Sequence, residues 1–288
     1  MTTPTRPMVR YHGGKWRLSP WIQSFFPPHR IYCEPFCGAA SVLLSKPRAY
    51  AEYLNDLDGE IINLFRVLQD DTQAKELIRL LSVTPFARDE FNLAQEKSLD
   101  PVERARRLCI TSFMGFSSGA ATGYKTGFRS RSFRCYTSPA HDWMNYPESL
   151  LAVIERLRGV TIENRSAFDI IPLLDTPDTL FYIDPPYPAS TRTSYGAYRH
   201  EITDADHEAL AACLRACSGY VVISGYRCNL YDRLFNGWTR MEKQTRTDSG
   251  YSQECLWLSP RTAACSRNKQ LSLLELFRAT STEAPCDA

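Results

Sequence analysis

The feature that most restricts the fold is an alternation of strand and helix patterns over residues 31–68. Ile31–Glu34 is a short strand that ends at a turn around Gly38, and the residues after that turn fit the first part of a helix. Ala49–Leu54 predicts a second strand, and Asp58 can cap a helix whose apolar residues keep helical spacing. Strand, glycine turn, helix and strand in this order open a parallel, doubly wound α/β sheet.

The same alternation returns after a region of different character. Thr179–Ile183, Tyr220–Ser224 and Glu254–Leu258 predict further strands, and a variant capping box at Thr203–Asp206 opens a helix. Because strand and helix patterns alternate on both sides of the interruption, the sequence predicts one α/β domain that carries an insertion.

The predicted division of the chain has four parts. Residues 1–68 are the first part of the α/β domain, and residues 69–150 are a mostly helical insertion that becomes rich in Ser, Gly, Thr and Arg. Residues 151–260 complete the α/β domain. The tail, residues 261–288, is rich in Ser, Thr and Ala, and we expect it to be partly disordered.

The composition narrows the class of protein. The chain has 288 residues with 34 Lys and Arg against 32 Asp and Glu, so the net charge of +2 gives no sign of a polyanionic partner. No apolar run approaches the roughly 18 residues of a membrane span, and the first ten residues lack the apolar core of a secretory signal. The ten cysteines are not accompanied by a histidine cluster. We therefore expect a cytoplasmic protein with reduced thiols, no membrane association and no metal.

The strongest chemical signal is Asp184-Pro185-Pro186-Tyr187, directly after the apolar strand Leu180–Ile183. Ligands of open α/β sheets bind at the carboxyl ends of the strands. The two prolines fix φ and remove two N–H donors, so the nearby carbonyl oxygens are not used by a helix. Asp184 adds an acceptor and Tyr187 an aromatic face, which suit a planar ring with an exocyclic amine. The pattern favours alkylation of an aromatic amine over the alternative, a plain surface turn.

A second candidate site lies at the glycine turn. Gly38 lets the backbone approach a ligand closely, and Asp56 follows the next predicted strand, where α/β folds place the acid that binds ribose hydroxyls. A tight turn at Gly38 and a helix cap at Asp56 are the alternatives. Two glycines before Lys15 bring a backbone segment and an ammonium group to a ligand, or form a flexible loop. Since G-x-G-x-x-G is absent, the pattern predicts a ribose-bearing cofactor without a required pyrophosphate.

Four motifs in order carry a resemblance to a known family. They are R-Y-H-G-G-K at residues 10–15, E-P-F-C-G-A-A-S at 34–41, L-N-D at 54–56 and D-P-P-Y at 184–187. As a set they resemble the Dam-type DNA adenine-N6 methyltransferases, most closely the branch found in bacteriophages and prophages. The resemblance covers most of residues 8–258.

This resemblance implies a Rossmann-like sheet, S-adenosylmethionine as methyl donor, and a mostly helical target-recognition subdomain inserted before D-P-P-Y. At the cofactor it places the residues Tyr11, Lys15, Glu34, Phe36 and Gly38, with Asp56 on the ribose. The D-P-P-Y residues would hold an adenine flipped out of duplex DNA. Asp184 would also border the methionine end of the cofactor.

Two positions depart from the family pattern. Ala40 stands where many relatives have a second glycine, and we expect its methyl group to be tolerated. Ser166 stands where relatives usually have an aspartate that contacts the adenine of the cofactor. A hydroxyl still accepts that hydrogen bond, but a neutral acceptor is weaker, so we expect poorer cofactor affinity.

The net charge conceals a basic region. Between Glu103 and Asp142 there is no acidic residue, and the local charge is +7 from Arg104, Arg106, Arg107, Lys125, Arg129, Arg131 and Arg134. Aromatic residues interleave with them, including Phe113, Phe116 and Phe128. This pattern suits phosphate contact and stacking, although Arg104 and Arg107 equally fit a solvated helix face. We predict DNA contact by Lys125, Arg129, Arg131 and Arg134, with Arg10 and Arg192 as further candidates.

The sequence thus predicts a site-specific DNA methyltransferase that transfers a methyl group to N6 of adenine in double-stranded DNA. Methylation of adenine in RNA and a catalytically weak DNA-binding relative are the alternatives. A monomer or weak dimer is expected, and a cognate restriction endonuclease is an open hypothesis for a partner.

Overall fold

The computed structural model describes residues 3–116, 126–130, 138–192, 198–247 and 250–266. Its centre is a seven-stranded sheet with the strand order β3-β2-β1-β4-β5-β7-β6. The strands are β1 (Ile31–Glu34), β2 (Ala51–Asn55), β3 (Val160–Glu163), β4 (Thr179–Ile183), β5 (Tyr220–Tyr226), β6 (Thr239–Thr247) and β7 (Gly250–Leu258). The strands β1 to β5 pair in parallel, whereas β7 is antiparallel to β5 and β6. This mostly parallel sheet confirms the predicted Rossmann-like α/β class.

The strand order reverses between β1 and β4. From β1 the chain continues outward to β2 and β3, and from β4 it continues in the opposite direction to β5. Adjacent loops therefore leave the sheet in opposite directions and open a crevice at the carboxyl ends of β1 and β4. All five residues of β4 are buried, as expected for a central parallel strand that is covered on both faces.

Helices cover both faces of the sheet. They are α1 (Ser19–Gln23), α2 (Ser41–Ser45), α3 (Gly59–Gln69), α4 (Asp71–Val83), α5 (Arg88–Leu93), α6 (Pro101–Met114), α7 (Pro139–Met144), α8 (Tyr146–Leu157), α9 (Ala167–Leu174), α10 (Asp204–Ala216) and α11 (Asn229–Leu234). The helices α2, α3, α4, α6 and α8 contribute to one buried apolar cluster, and α9, α10 and α11 contribute to a second. The arrangement is a three-layer α/β/α fold with the larger core on the first face.

The helices of residues 69–150 are part of the larger core. Buried residues such as Leu77 of α4 and Ile110 of α6 lie in the same cluster as Leu64 of α3. Helix α8 runs through residue 150, the predicted end of the insertion, and leads directly to β3. The described part of the insertion therefore shares its core with the α/β domain.

The predicted helix caps are present. Asp58 accepts a hydrogen bond from the backbone of Glu60, and Thr203 with Asp206 forms a complete capping box. At the other end, residues 260–266 are helical, and the buried hydroxyl of Thr262 bonds to the backbone of Val221 in β5. The ordered fold thus continues beyond residue 260, and residues 267–288 of the predicted tail lie outside the described residues.

Candidate active site

A cleft lies at the crevice between the carboxyl ends of β1 and β4. Its volume is about 830 Å³ with the solvent-open mouth included. Among its lining residues are eight that the sequence singled out: Tyr11, Lys15, Glu34, Phe36, Gly38, Asp56, Asp184 and Pro186. Residues from four separate motifs therefore meet at one end of the sheet.

Asp184 enters this cleft from the end of β4 with one oxygen already bound. Its Oδ1 lies 3.0 Å from the ammonium of Lys15 and accepts a 2.7 Å hydrogen bond from the hydroxyl of Ser224. No hydrogen bond joins Oδ2 to any of the described residues, and the same holds for the carbonyl oxygen of Pro185. Because Oδ1 is fixed from two directions, the carboxylate presents Oδ2 in a defined orientation.

Lys15 is buried between charged and aromatic groups. Its Nζ lies 3.9 Å from the Glu254 carboxylate and 4.9 Å from the ring centroid of Tyr187. Burial lowers the pKa of Lys15, but the carboxylates of Asp184 and Glu254 outweigh burial, so the pKa lies above its usual value. The lysine is therefore a permanent cation that interacts with the motif itself.

The ring of Tyr187 is fixed behind the cleft. It is 5% exposed, its hydroxyl donates to Glu254, and its ring meets Tyr226 edge-on at a centroid distance of 4.9 Å. Burial is the main reason that the pKa values of both Tyr187 and Glu254 are raised. Tyr187, like Pro185, is not among the residues that line the cleft, and its ring lies beside the buried ammonium of Lys15.

The glycine turn connects two of the predicted motifs. Gly38 has a φ of +44°, and its amide donates a 2.8 Å hydrogen bond to Asp56 Oδ2. A Cβ at this position would lie 2.9 Å from the ring of Tyr11, so only glycine fits the turn. The other oxygen of Asp56 accepts from the backbone of Asp58, yet burial raises the pKa of Asp56 to about 6.

Glu34 is a buried residue that lines the cleft, and one of its carboxyl oxygens accepts two hydrogen bonds. Its Oε1 accepts hydrogen bonds from the Tyr32 hydroxyl at 2.8 Å and from the backbone of Leu43 at 2.7 Å. Burial raises the pKa of Glu34 to about 8. Glu34 therefore joins β1 to α2 and can be neutral at physiological pH.

Ala40 has a left-handed backbone conformation. It precedes α2 with φ +50° and ψ +39°, a region in which an L-residue with a Cβ is strained. The side chain is completely buried in the larger core. The methyl group is thus accommodated, as expected, but at a cost in backbone strain.

A residue that sequence reasoning described only as a helix cap links three parts of the site. Asp58 accepts a 3.1 Å hydrogen bond from the Tyr11 hydroxyl, and its Oδ1 lies 3.0 Å from Nε of Arg199. Tyr198 packs edge-on against His12, with ring centroids 5.0 Å apart. Tyr198 and Arg199 both line the cleft. The segment after the D-P-P-Y motif therefore contacts both Asp58 and the loop that contains His12.

Ser166 is placed differently from the other predicted cofactor residues. It is the N-cap of α9 and accepts a 3.2 Å hydrogen bond from the backbone of Phe168. The next residue, Ala167, lines the cleft, whereas Ser166 itself does not. The Ser166 hydroxyl is therefore close to the cleft in sequence, but its hydrogen bond caps α9.

Three of the six predicted DNA contacts, Lys125, Arg131 and Arg134, lie outside the described residues. The backbone of Arg10 exchanges hydrogen bonds with Ser112 of α6, and the amide of Arg129 donates to Met114. Arg192 makes a two-point ion pair with Glu201, at 2.9 and 2.6 Å, and its side chain is 7% exposed. In this arrangement the guanidinium of Arg192 is bonded to Glu201 and not directed to a partner molecule.

Carboxylates of α3, of α5 and of α6 itself neutralise the helical part of the basic region. Arg104 bonds twice to Glu60 of α3, and Arg106 and Arg107 both bond to Glu103. Arg106 also pairs with Glu90 at 3.0 Å. Arg104 and Arg106 therefore join α6 to neighbouring helices, whereas Arg107 pairs within α6. The local charge of +7 overstates what this surface presents.

The aromatic residues of the basic region fall into two groups, those that pack inside the protein and those that are exposed. Phe113 is 4% exposed and stacks with Tyr146, and Phe128 packs against Phe86 and Phe91. Phe116, in contrast, is 65% exposed. Two of the aromatic residues expected to stack on bases thus pack in or against the core, because their partners come from distant segments that the local pattern does not include.

Two contributors to the site, Ser224 and Glu254, were not predicted individually. Both lie in segments that share the family resemblance, at the end of β5 and in β7. Their polar side chains inside otherwise apolar strands were the available signal, since buried polar groups need partners.

The fold and the site together define a class of protein. A mostly parallel sheet, a cleft at its switch point and a D-P-P-Y motif at the end of β4 are the features of a Rossmann-like methyltransferase. The chain belongs to the family of D12 class N6 adenine-specific DNA methyltransferases, whose family model matches residues 11–248.

Proteins named DNA adenine methylase are similar to this chain over most of its length. The chain is 28% identical to the one from Vibrio cholerae, over 94% of this chain and 96% of that protein. It is 25% identical to the one from Haemophilus influenzae, over 81% and 83% respectively. It is 27% identical to the one from Escherichia coli, over 67% and 69%.

Proposed function

We propose that this protein transfers a methyl group from S-adenosylmethionine to N6 of an adenine in double-stranded DNA, at a specific site. The observation that carries the proposal is the geometry of Asp184. Its Oδ1 is fixed by Lys15 and Ser224, while Oδ2 has no partner among the described residues, and Asp184 lines the cleft. Family membership supplies the reaction class, and this acceptor supplies the place for the amine.

The residues of the cleft fit the proposed cofactor. Asp56 offers a carboxylate whose two oxygens each accept one backbone hydrogen bond and retain lone pairs for a ribose diol. Half-buried Phe36 offers an aromatic surface, and Asp184 offers negative charge at the opposite side. When bound, S-adenosylmethionine would supply an electrophilic methyl carbon.

The protein's part in the reaction is orientation. Asp184 Oδ2 and the carbonyl oxygen of Pro185 would accept the two hydrogens of the adenine amine and favour its pyramidal, nucleophilic form. The face of Tyr187 that is not covered by Lys15 would stack on the base. The methylated amine then loses a proton to water or to Asp184, so no covalent enzyme intermediate is required.

The direct test uses Asp184→Ala with exposed Asp204→Ala of α10 as the matched control. Methyl transfer from radiolabelled S-adenosylmethionine to duplex DNA should be abolished in the first variant and unchanged in the second, with both chains folded by circular dichroism. Near-full turnover by Asp184→Ala would contradict the assigned role of Asp184.

The same assay separates the alternative substrates. Incorporation into RNA of the same sequence but not into duplex DNA would replace the proposal by RNA methylation. Calorimetry at millimolar S-adenosylmethionine tests the catalytically weak alternative, which predicts no binding. Sequencing of methylated bases in DNA from expressing cells identifies the base and the site together.

The DNA surface is proposed to include Lys125, Arg129, Arg131 and Arg134, with Arg10 as a further candidate. Arg192 would join only after release from Glu201. Among the described residues, no helix is long and apolar enough to cross a membrane. A cytoplasmic location, a monomer or weak dimer, and a cognate restriction endonuclease are further proposals, which cell fractionation, sedimentation and gene neighbourhood would test.

A further inference from the structure

A buried carboxylate without a role in the steps above lies behind the D-P-P-Y motif. Glu254 belongs to β7, the antiparallel strand between β5 and β6, and it is 4% exposed. Its Oε1 accepts the hydrogen bond of the Tyr187 hydroxyl and lies 3.9 Å from Nζ of Lys15. Glu254 is not among the residues that line the cleft. It can therefore act on a bound base only through its neighbours.

Both neighbours of Glu254 belong to the proposed reaction site. Lys15 lies 3.0 Å from Asp184 Oδ1 and 4.9 Å from the ring centroid of Tyr187. A single buried cation thus connects two carboxylates and one aromatic ring. If Glu254 loses its charge or its acceptor, Lys15 can move toward Asp184 and the Tyr187 hydroxyl loses its anchor.

The energetics favour a specific role for this carboxylate. A buried charge is unfavourable unless it is paired, and an apolar residue would serve the core of β7 at least as well. The two residues that follow Glu254 on the strand, Cys255 and Leu256, are fully buried and apolar. What the carboxylate adds is directional: one oxygen that fixes a hydroxyl and a charge that fixes an ammonium group.

We propose that Glu254 is a positioning residue of the methyl-transfer site, which orients the Tyr187 ring and, through Lys15, the Asp184 carboxylate. The inference rests on the proposed function, since it concerns how the adenine is held. Displacement of a reacting group by about 1 Å can reduce a rate on the order of 100-fold, so modest movements of these two groups are sufficient.

The experiment compares Glu254→Gln, Tyr187→Phe and the double variant. Glutamine keeps an acceptor for the Tyr187 hydroxyl and removes the charge, whereas phenylalanine keeps the ring and removes the hydroxyl. The control is Glu242→Gln on β6, an exposed carboxylate in register with Cys255. Each variant is measured by single-turnover methylation of duplex DNA carrying the identified site, by calorimetric affinity for S-adenosylmethionine, and by thermal unfolding.

The expected result is a rate constant about 10- to 100-fold lower for Glu254→Gln, with cofactor affinity within threefold of wild type and the protein folded at the assay temperature. The double variant should be slower than wild type by clearly less than the product of the single effects, because neutral glutamine weakens the hydrogen bond from the Tyr187 hydroxyl and Tyr187→Phe has already removed that bond. Glu242→Gln should match wild type.

Two results would overturn the inference. One is an unchanged rate constant for Glu254→Gln beside an active wild type, which would leave the proposed function intact. The other is a double variant whose effect equals the product of the singles. An inactive wild-type protein on every duplex would instead contradict the proposed function, and the inference would fall with it.

Discussion

Two regions of the molecule use basic residues differently. At the carboxyl edge of the sheet, Lys15 is buried beside the cleft, 3.0 Å from Asp184. On α6, the partly exposed Arg104 bonds to Glu60 and Arg107 bonds to Glu103. Both regions contain basic residues that the sequence offers as ligand contacts. In the first region the cation contacts the D-P-P-Y motif beside the cleft, and in the second Arg104 joins α6 to α3 while Arg107 pairs within α6. The difference shows that the role of a basic residue depends on which carboxylate the fold brings to it.

The largest effect expected from this comparison is that of Lys15→Met. The change leaves Asp184 and Glu254 buried near each other without a cation, and breaking a buried pair in this way costs about 3 kcal/mol. Methylation should fall more than about 100-fold, because Asp184 loses a partner of Oδ1. Chemical unfolding and the methylation assay measure both effects. Lys75→Met, which removes an exposed ion pair with Asp71, is the control and should change neither stability nor methylation. Equal losses in the two variants would contradict the special role of the buried lysine.

The glycine turn offers two opposite substitutions at the same edge. Gly38→Ala should destabilise the protein by about 2 kcal/mol, because φ is positive and the new Cβ meets Tyr11. Ala40→Gly should stabilise it by about 0.5 kcal/mol or more, since the left-handed strain at φ +50° is removed. Urea unfolding of the two variants measures the free energies. A loss of stability in Ala40→Gly would show that burial of its methyl group outweighs the strain.

A third prediction sharpens the contrast within the basic region. The double variant Arg131→Ala with Arg134→Ala should weaken DNA binding about tenfold and reduce the salt dependence, because each lost phosphate contact lowers the slope by about 0.9. Arg104→Ala with Arg107→Ala should leave the slope unchanged, since Glu60 and Glu103 already use these guanidinium groups. Fluorescence anisotropy over a salt series provides the slopes. A reduced slope in the second pair would place the DNA surface on α6.

The smallest expected effect is a pH dependence of cofactor affinity. Burial raises the pKa of Asp56 to about 6, and the ionised carboxylate is the better acceptor for ribose hydroxyls. Affinity should therefore fall as pH decreases from 7.5 to 5, by up to about tenfold. Glu34, with a pKa of about 8, is mostly protonated across this range. Calorimetry should find weaker and pH-independent cofactor binding for Asp56→Asn. A wild-type affinity that does not change with pH would contradict the proposed contact between Asp56 and the ribose.

The fold and most of the cleft were predictable because they follow from local signals. The Ile31–Glu34 and Thr179–Ile183 strands were predicted with the bounds that the structure shows. Once two strands are parallel and central, their carboxyl ends meet, so Gly38 and Asp184 had to lie near one another. This step uses the order of motifs along the chain and requires no knowledge of side-chain contacts.

The contacts between side chains were not predictable, since they depend on packing between distant segments. The strand β6 was missed because its sequence T-R-M-E-K-Q-T-R-T is polar, as suits an edge strand. Glu254 was not singled out, because only the pairing of β7 with β5 brings it to Tyr187. Arg104 gave no sign of its partner, since Glu60 lies outside the window in which charge was counted.

The position of β7 also bears on when the enzyme becomes competent during its synthesis. Glu254 belongs to the last of the seven strands to leave the ribosome, while Lys15 precedes the first. A nascent chain already contains the complete D-P-P-Y motif when β6 and β7 have not yet been translated. Its Tyr187 hydroxyl and Lys15 then lack their common acceptor. The D-P-P-Y motif is therefore made early, and its buried acceptor arrives only when β7 pairs with β5. The contact between Lys15 and Glu254 then joins nearly opposite ends of the described chain, a long-range contact of the kind that forms slowly.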